Sequence, residues 1–362
     1  MTRVAPAPLA RVLDVRVVFL VLLCATLTLV LQEWVGDSTI YAERWVAARE
    51  EAHAALLHNR LPAGAPSWES VGMNGLNVRV GVVYLAEGIH RVSGIRVVHV
   101  YHLIDSAALF ASFLLLFVLL ARRAPASHAL IGVLFVATVL PLTYFLHRYH
   151  PWDRASMCLW IGLIMLLERR RLGAFALLLP LAVVVKYDVA VLPGLYFLLE
   201  VDREHWSRVT LRTIALLVLS FGTYALLLHL LPGGAEPRHP LAQILRNLTV
   251  LREMHLRYPP LLMFGGAAAL AAYGIPVADR FARACAIFSL VVAVPLAVLT
   301  NFVEVRAETM LLLLLLPAMM AGLDRLLAGT VADGHAALTP AVPAAASPSL
   351  PAAVDGDAAM RR

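Results

Sequence analysis

Charge is scarce in this chain: 15% of its 362 residues are Asp, Glu, Lys or Arg, whereas 60% are apolar. A water-soluble domain of this length needs far more polar surface, so the bilayer is the solvent that the composition implies. Lysine is scarcer still, because every basic residue except Lys186 is an arginine. The net charge of +6 raises the question of nucleic acid. Yet the arginines sit in short joints between apolar runs, without aromatics interleaved on a polar face, which marks topology and not a phosphate-backbone surface. No nucleic-acid partner is expected. The three cysteines, Cys24, Cys158 and Cys285, all lie inside apolar runs with no C-x-x-C pair, which leaves no basis for a disulfide framework or a zinc site. No internal repeat is present, and no motif has the specificity of a Walker sequence.

What the chain has in abundance is apolar runs. Residues 1–16 carry Arg3, Arg11 and Arg16 and then open into VVFLVLLCATLTLVL, the layout of a signal anchor with a cytoplasmic N-terminus. A cleaved signal peptide is the competing reading, although no small-x-small site follows at once. Further runs lie at about 97–120, 129–146, 155–167, 210–231, 260–276, 285–300 and 307–323, several of them ending on arginines. Leu172 to Leu199 is one long apolar run interrupted by Lys186-Tyr187-Asp188 and then by Pro193-Gly194. As a single span it would bury a lysine and an aspartate near mid-membrane; two short helices meeting at the far side cost less.

These runs predict an all-α polytopic membrane protein of about ten transmembrane helices with both termini inside. Residues 1–16 form the cytoplasmic N-terminus and 17–325 the transmembrane domain, which includes a periplasmic loop at 33–96. Residues 326–362 form a disordered, Ala/Pro-rich cytoplasmic tail. Within the loop, Ile40 to Leu57 has apolar and charged faces at helical spacing and predicts a helix along the interface. Leu61 to Gly75 is a Pro/Gly/Ser-rich connection, and Leu76 to Val92 predicts a second surface helix.

With this topology the predicted outer face collects Glu33, Asp37, HRYHPWDR at 147–154, Lys186-Tyr187-Asp188 and Asn301 to Arg306. Arg148, Arg154, Lys186, Arg238, Arg246, Arg252, Arg257 and Arg306 stand on that face against the positive-inside bias. Cations held close to helix ends are what a phosphate or pyrophosphate head group requires. Each one taken singly is equally explained by a local acid such as Asp153, Asp188 or Glu304, or by bilayer phosphates.

Three segments carry a family resemblance. HPWDRASMCLWIGLIMLLERRRLGAFALLLPLAVVVKYDVAVLPGLYFLL, residues 150–198, resembles the middle of bacterial membrane glycosyltransferases of the GT-C superfamily. That region in the family runs from a periplasmic loop through a short span and an arginine-rich joint to a helix ending in a lysine-acid pair. NFVEVRAETMLLLLLLPAM, residues 301–319, resembles the glutamate-x-arginine segment that opens a late helix in related bacterial membrane proteins. Asp37, just after the first span, matches the position of the family's catalytic carboxylate, here a lone aspartate with Glu33 four residues before it.

The resemblance implies a GT-C-like bundle in a bacterial inner membrane. It implies transfer of a sugar from a polyprenyl-phosphate donor to a glycan, lipid or protein acceptor at the periplasmic face. Asp37 would take the acceptor's proton. Glu33, Arg148, Asp153, Lys186, Asp188, Glu304 and Arg306 would bind substrate, with Lys186 and Arg306 stabilising the leaving phosphate. For Asp37 an interface charge paired with Arg44 competes with the catalytic role.

His99, His102 and Asp105 stand at three-residue steps, as do His147, His150 and Asp153. Both triples have metal-ligand spacing, and polar contacts between helices account for them as well. A divalent metal ion is therefore the one candidate cofactor. A transporter or flippase of a lipid-linked or anionic substrate shares the bundle, the broken pair and the outer cations. It differs in requiring two related halves and polar residues at mid-depth on several helices.

Overall fold

A computed structural model describes residues 14–35, 43–60, 78–144, 152–231, 259–299 and 309–338, together with a few helical positions between 241 and 249. Their side chains are described except at 33–35, 43–49, 144, 259–263, 297–299 and 329–338. Every described element is a helix, and no strand occurs among the described residues. In chain order these are α1 (Val15–Val35), α2 (Glu43–Leu57), α3 (Val80–Ser93), α4 (Val97–Leu120), α5 (Ala126–Val139), α6 (Trp152–Glu168) and α7 (Leu172–Val185). There follow α8 (Pro193–Glu200), α9 (Trp206–Leu230), α10 (Pro259–Gly274), α11 (Arg280–Leu299) and α12 (Thr309–Leu338). Short 3-10 turns at Leu140–Tyr144 and Tyr187–Val191 complete the set.

Each apolar run of the sequence falls on a helix. Five segments are long and apolar enough to cross a bilayer: Val15–Gln32, Val97–Leu120, Ala126–Thr143, Trp206–Leu230 and Thr309–Ala328. The chain divides into a helical body, Met1–Arg325, and a second unit, Leu326–Arg362, whose described residues up to Leu338 are helical. The expectation of a disordered tail otherwise concerns positions outside the described residues.

The helix boundaries follow local chemistry. Gly94 takes the left-handed conformation (φ 71°) and returns its N–H to the His90 carbonyl, closing α3, a conformation that glycine adopts without a Cβ penalty. Pro193 opens α8 at its first turn, where a missing N–H costs nothing. Lys186 is extended (φ −161°, ψ 121°) and stops α7. The 172–199 run is therefore broken at Lys186, as the two-helix reading expects.

Ion pairs tie alternate helix ends together at one end of the body. Arg122 and Arg123 hold Glu168 at 2.9 and 2.7 Å, Arg123 reaches Asp279 at 3.2 Å, and Arg170 meets Glu200 at 3.2 Å. Arg280 pairs with Asp202 at 3.2 Å, and His128 pairs with Asp324. The Arg170–Glu200 pair is decisive for the broken run. It brings the start of α7 and the finish of α8 to the same end, so the two form a helical hairpin with Lys186 at its tip. Fourteen residues of α7 rise roughly 21 Å, which is short of a hydrocarbon core of about 30 Å.

The body has two apolar cores. The larger one is built around Phe113, Phe117, Trp160, Leu163, Phe175 and Phe288, drawn from α4, α6, α7 and α11. The smaller packs Ala55 and Leu56 of α2 and Val82, Val83 and Ala86 of α3 against Val97, Val100 and Tyr101 of α4 and Trp152 of α6. His53 joins these elements, with its ring nitrogens 2.7 Å from the Tyr101 hydroxyl and 3.1 Å from Glu87. The two predicted surface helices thus form a packed layer on the bundle. By contrast α9 leaves Leu211, Ile214, Val218 and Phe221 exposed, an apolar surface suited to lipid.

Without a hydrophobic force between helices in lipid, small residues decide where backbones meet. A Cβ on Gly322 would stand 2.1 Å from the Leu270 carbonyl oxygen, and one on Gly274 would stand 2.1 Å from that of Ala318. Gly322→Val is therefore expected to force α10 and α12 apart, costing about 1–3 kcal/mol by overpacking and lowering the unfolding temperature in detergent. Gly173→Ala, which meets nothing within 4 Å, is expected to leave that temperature unchanged.

Candidate functional site

The sequence places three polar side chains on one stripe of α6: Asp153, Ser156 and Trp160, at three- and four-residue steps that share a helix face. The hairpin tip meets that stripe. Lys186 Nζ lies 3.2 Å from Asp153 Oδ1 and 2.9 Å from Asp188 Oδ2. Asp188 Oδ1 also accepts hydrogen bonds from Ser156 Oγ and Trp160 Nε1, each at 3.2 Å. The one lysine of the chain is 8% exposed and is held between two carboxylates.

A second cation approaches from the layer above. Arg79, at the entry to α3, donates to the Tyr187 hydroxyl at 3.3 Å. Its guanidinium lies 5.1 Å from the Tyr187 ring centroid and 5.8 Å from that of Trp152, within the range of cation–π attraction. Tyr187 in turn packs on Tyr224 of α9, centroids 4.9 Å apart. Two cations and two carboxylates leave the group near neutrality, which is the condition under which buried charges are tolerated.

Beside this group sits a buried pair. Arg154, 1% exposed, donates to Asp105 of α4 and to Gln32 of α1, both buried. Counting helix rise from the arginine joints puts these polar groups at a common level. Asp105 is roughly 22 Å from Leu120, Asp153 roughly 22 Å from Glu168, and Gln32 roughly 24 Å from Arg16. The polar residues of four helices thus gather away from the joints.

A small, partly open cleft borders the cluster. Its lining mixes the polar Asp153, Arg154, Ser156, Lys186 and Asp188 with the apolar Leu140, Met157, Trp160, Met310 and Leu313, and Thr309 at the start of α12 borders it as well. The polar residues can form charge-assisted hydrogen bonds to an anion, and the apolar ones can only pack. Lys186 can exchange a carboxylate for an anionic oxygen, and either aspartate can accept a proton from a neighbouring hydroxyl.

Of the residues singled out in the sequence, Asp153, Lys186 and Asp188 come together here. Glu33 lies in the last turn of α1 with its side chain outside the described residues. Asp37, Arg148, Glu304 and Arg306 lie outside the described residues altogether, as do His147 and His150. Asp105, counted with His99 and His102 as a possible ligand set, is engaged by Arg154. Among the described residues no three His, Cys, Asp or Glu side chains converge to hold a metal.

Arg79, Ser156, Trp160 and Gln32 escaped the sequence reading. Arg79 had a signal, being a lone cation in LNVRVGVVY with no carboxylate within seven residues on either side. The polar stripe of α6 had one too. No family model matches the chain, and no curated protein or solved structure is similar to it.

Breaking a buried ion pair on one side costs more than replacing both partners. Arg154→Met is expected to lower stability by about 3–5 kcal/mol by stranding Asp105. Arg154→Met combined with Asp105→Leu is expected to recover most of that loss. Unfolding of the purified variants in mixed micelles, followed by circular dichroism, distinguishes the two.

Proposed function

We propose that this protein is a GT-C-like membrane glycosyltransferase of a bacterial inner membrane. It moves a sugar from a polyprenyl-phosphate donor to a glycan, lipid or protein acceptor at the face away from the arginine joints. The observation that carries the proposal is the cleft at the hairpin tip, which combines polar and apolar lining residues. Its polar residues, with Lys186 8% exposed, suit a phosphate oxygen, and its apolar residues suit a neighbouring lipid chain. We take the end with the arginine joints as cytoplasmic, following the arginine-led start of the first apolar run, so that the cleft lies in the periplasmic half.

The chemistry is an inverting substitution. The acceptor hydroxyl attacks C1 as the bond from C1 to the phosphate oxygen breaks; the hydroxyl proton passes to a carboxylate, and the polyprenyl phosphate leaves with the electron pair. Asp37 is the base in this scheme. Lys186 meets the growing charge on the phosphate, and Arg79 adds a second positive charge on the far side of Tyr187. Asp153 and Asp188 keep Lys186 aimed at the cleft while the donor is absent.

One observation favours a transporter instead. A membrane helix broken at a buried, paired charged residue is also how transporters build substrate and ion sites. The two readings part in a reconstituted assay. Wild-type protein in liposomes with a panel of polyprenyl-phosphate sugars is expected to transfer sugar. Asp37→Asn is expected to lose about 10²–10⁴ in rate, the usual contribution of a general base, while retaining donor binding. Lys186→Gln is expected to weaken donor binding. Absence of transfer by wild type across the panel, together with flux of labelled donor across the bilayer, would overturn the enzyme in favour of the transporter.

A further inference from the structure

The helix α3 is polarised along its length and not only around its girth. Its N-terminal half, Val80 to Ala86, is VGVVYLA, without a polar residue except the Tyr84 hydroxyl; its C-terminal half carries Glu87, His90 and Arg91. The apolar half is not fully packed away. Tyr84 and Leu85 are 52% and 53% exposed, while Val82, Val83 and Ala86 are buried against α2 and α4. A helix lying flat on a membrane surface repeats a polar face along its whole length. This one does not.

The level of each end explains the pattern. At the N-terminal end, a Cβ on Gly81 would meet Val185 Cγ2 at 2.9 Å and the Val185 backbone nitrogen at 3.1 Å, so α3 begins against the hairpin tip, roughly 20 Å above the arginine joints. At the C-terminal end, Gly94 leads within three residues into Val97, the start of α4, roughly 35 Å above Leu120. The ends of α3 therefore differ in level by roughly 15 Å over a helix roughly 20 Å long. With a hydrocarbon core of about 30 Å, the N-terminal half lies within the depth of the acyl chains and the C-terminal half at the head groups.

We propose that α3 is an obliquely inserted, re-entrant helix, and that its exposed Tyr84 and Leu85 surface is covered by the acyl chains of the leaflet remote from the arginine joints. Membrane lipid is its partner. Continuity with the bundle supports this, because the same apolar half that faces lipid on one side packs on α4, itself a candidate span, on the other. The same insertion carries Arg79 down to Tyr187, linking the lipid-facing helix to the hairpin tip whichever activity that tip serves.

The test is a depth measurement on the full chain in liposomes. Cys24, Cys158 and Cys285 are replaced by alanine, and a nitroxide is attached at Leu85→Cys, Tyr84→Cys or Arg91→Cys in turn. Power saturation compares collisions with oxygen, which partitions into lipid, and with a water-soluble nickel chelate. The ratio of oxygen to nickel collisions is expected to be several-fold higher at positions 84 and 85 than at 91. Two labelled positions in the apolar half keep the result secure if one variant does not fold. Equal nickel access at 85 and 91 would overturn insertion and leave a surface helix. A label at 85 shielded from both colliders, with dipolar broadening between labels, would overturn lipid as the occupant in favour of a second copy.

Discussion

A charge inside an apolar bundle must be compensated where it stands, and the structure is arranged around the one lysine that needs this most. Lys186 sits at the tip of a hairpin whose arms are apolar enough to be drawn into the bundle. There it has to bring its own counter-ions or find them. It does both: Asp188 comes from its own 3-10 turn, and Asp153 comes from the facing helix. Once those two carboxylates are fixed, the positions of Ser156, Trp160 and the α6 stripe follow, because Asp188 still has an oxygen to satisfy. Desolvated carboxylates with an unfilled acceptor cost more than the hydrogen bonds they make are worth.

The two ends of the body solve different problems. At the arginine joints the ion pairs are partly exposed, with side chains such as Asp279 and Asp202 largely in solvent, and each contributes little to stability. Their effect is on arrangement: they tie ends that are distant in the chain and fix which helices run up and which down. At the opposite end the pairs made by Lys186 and Arg154 are buried, so their loss is costly, and the side chains are held in one geometry. A site that must orient a charged substrate needs the second kind of pairing. The cleft borders the buried pairs and not the exposed ones.

The layer formed by α2 and α3 connects that site to the membrane surface. Its own small core is joined to the bundle through Trp152 and Val185, and Arg79 reaches the ring of Tyr187 from it. A residue at the head of a lipid-contacting helix and a residue at the hairpin tip are therefore in direct contact. Any movement of α3 in the bilayer bears on Tyr187, and through it on the neighbours of Lys186.

The sequence by itself determined the class of the protein and much of its grain. Apolar runs set the helices, and the demand that Lys186 not be stranded at mid-membrane set the break in the 172–199 run. The polar letters of that run and of HPWDR marked Asp153, Lys186 and Asp188 as belonging to one face. These are local facts, because helix formation and the cost of burying a charge are felt within a few residues. Tertiary structure alone decided the partners. Arg79 meets Tyr187 across 108 positions, and Arg154 meets Gln32 across 122. Gly274 meets Gly322 because two helices cross there and nowhere earlier in the chain hints at the crossing. The level of α3 was equally hidden: the sequence predicts a surface helix there, and only contact with Val185 at one end and continuity with α4 at the other point to a tilt into the bilayer. Such pairings depend on which helix ends are brought together in space, and a one-dimensional pattern of polarity carries the need for a partner without its address.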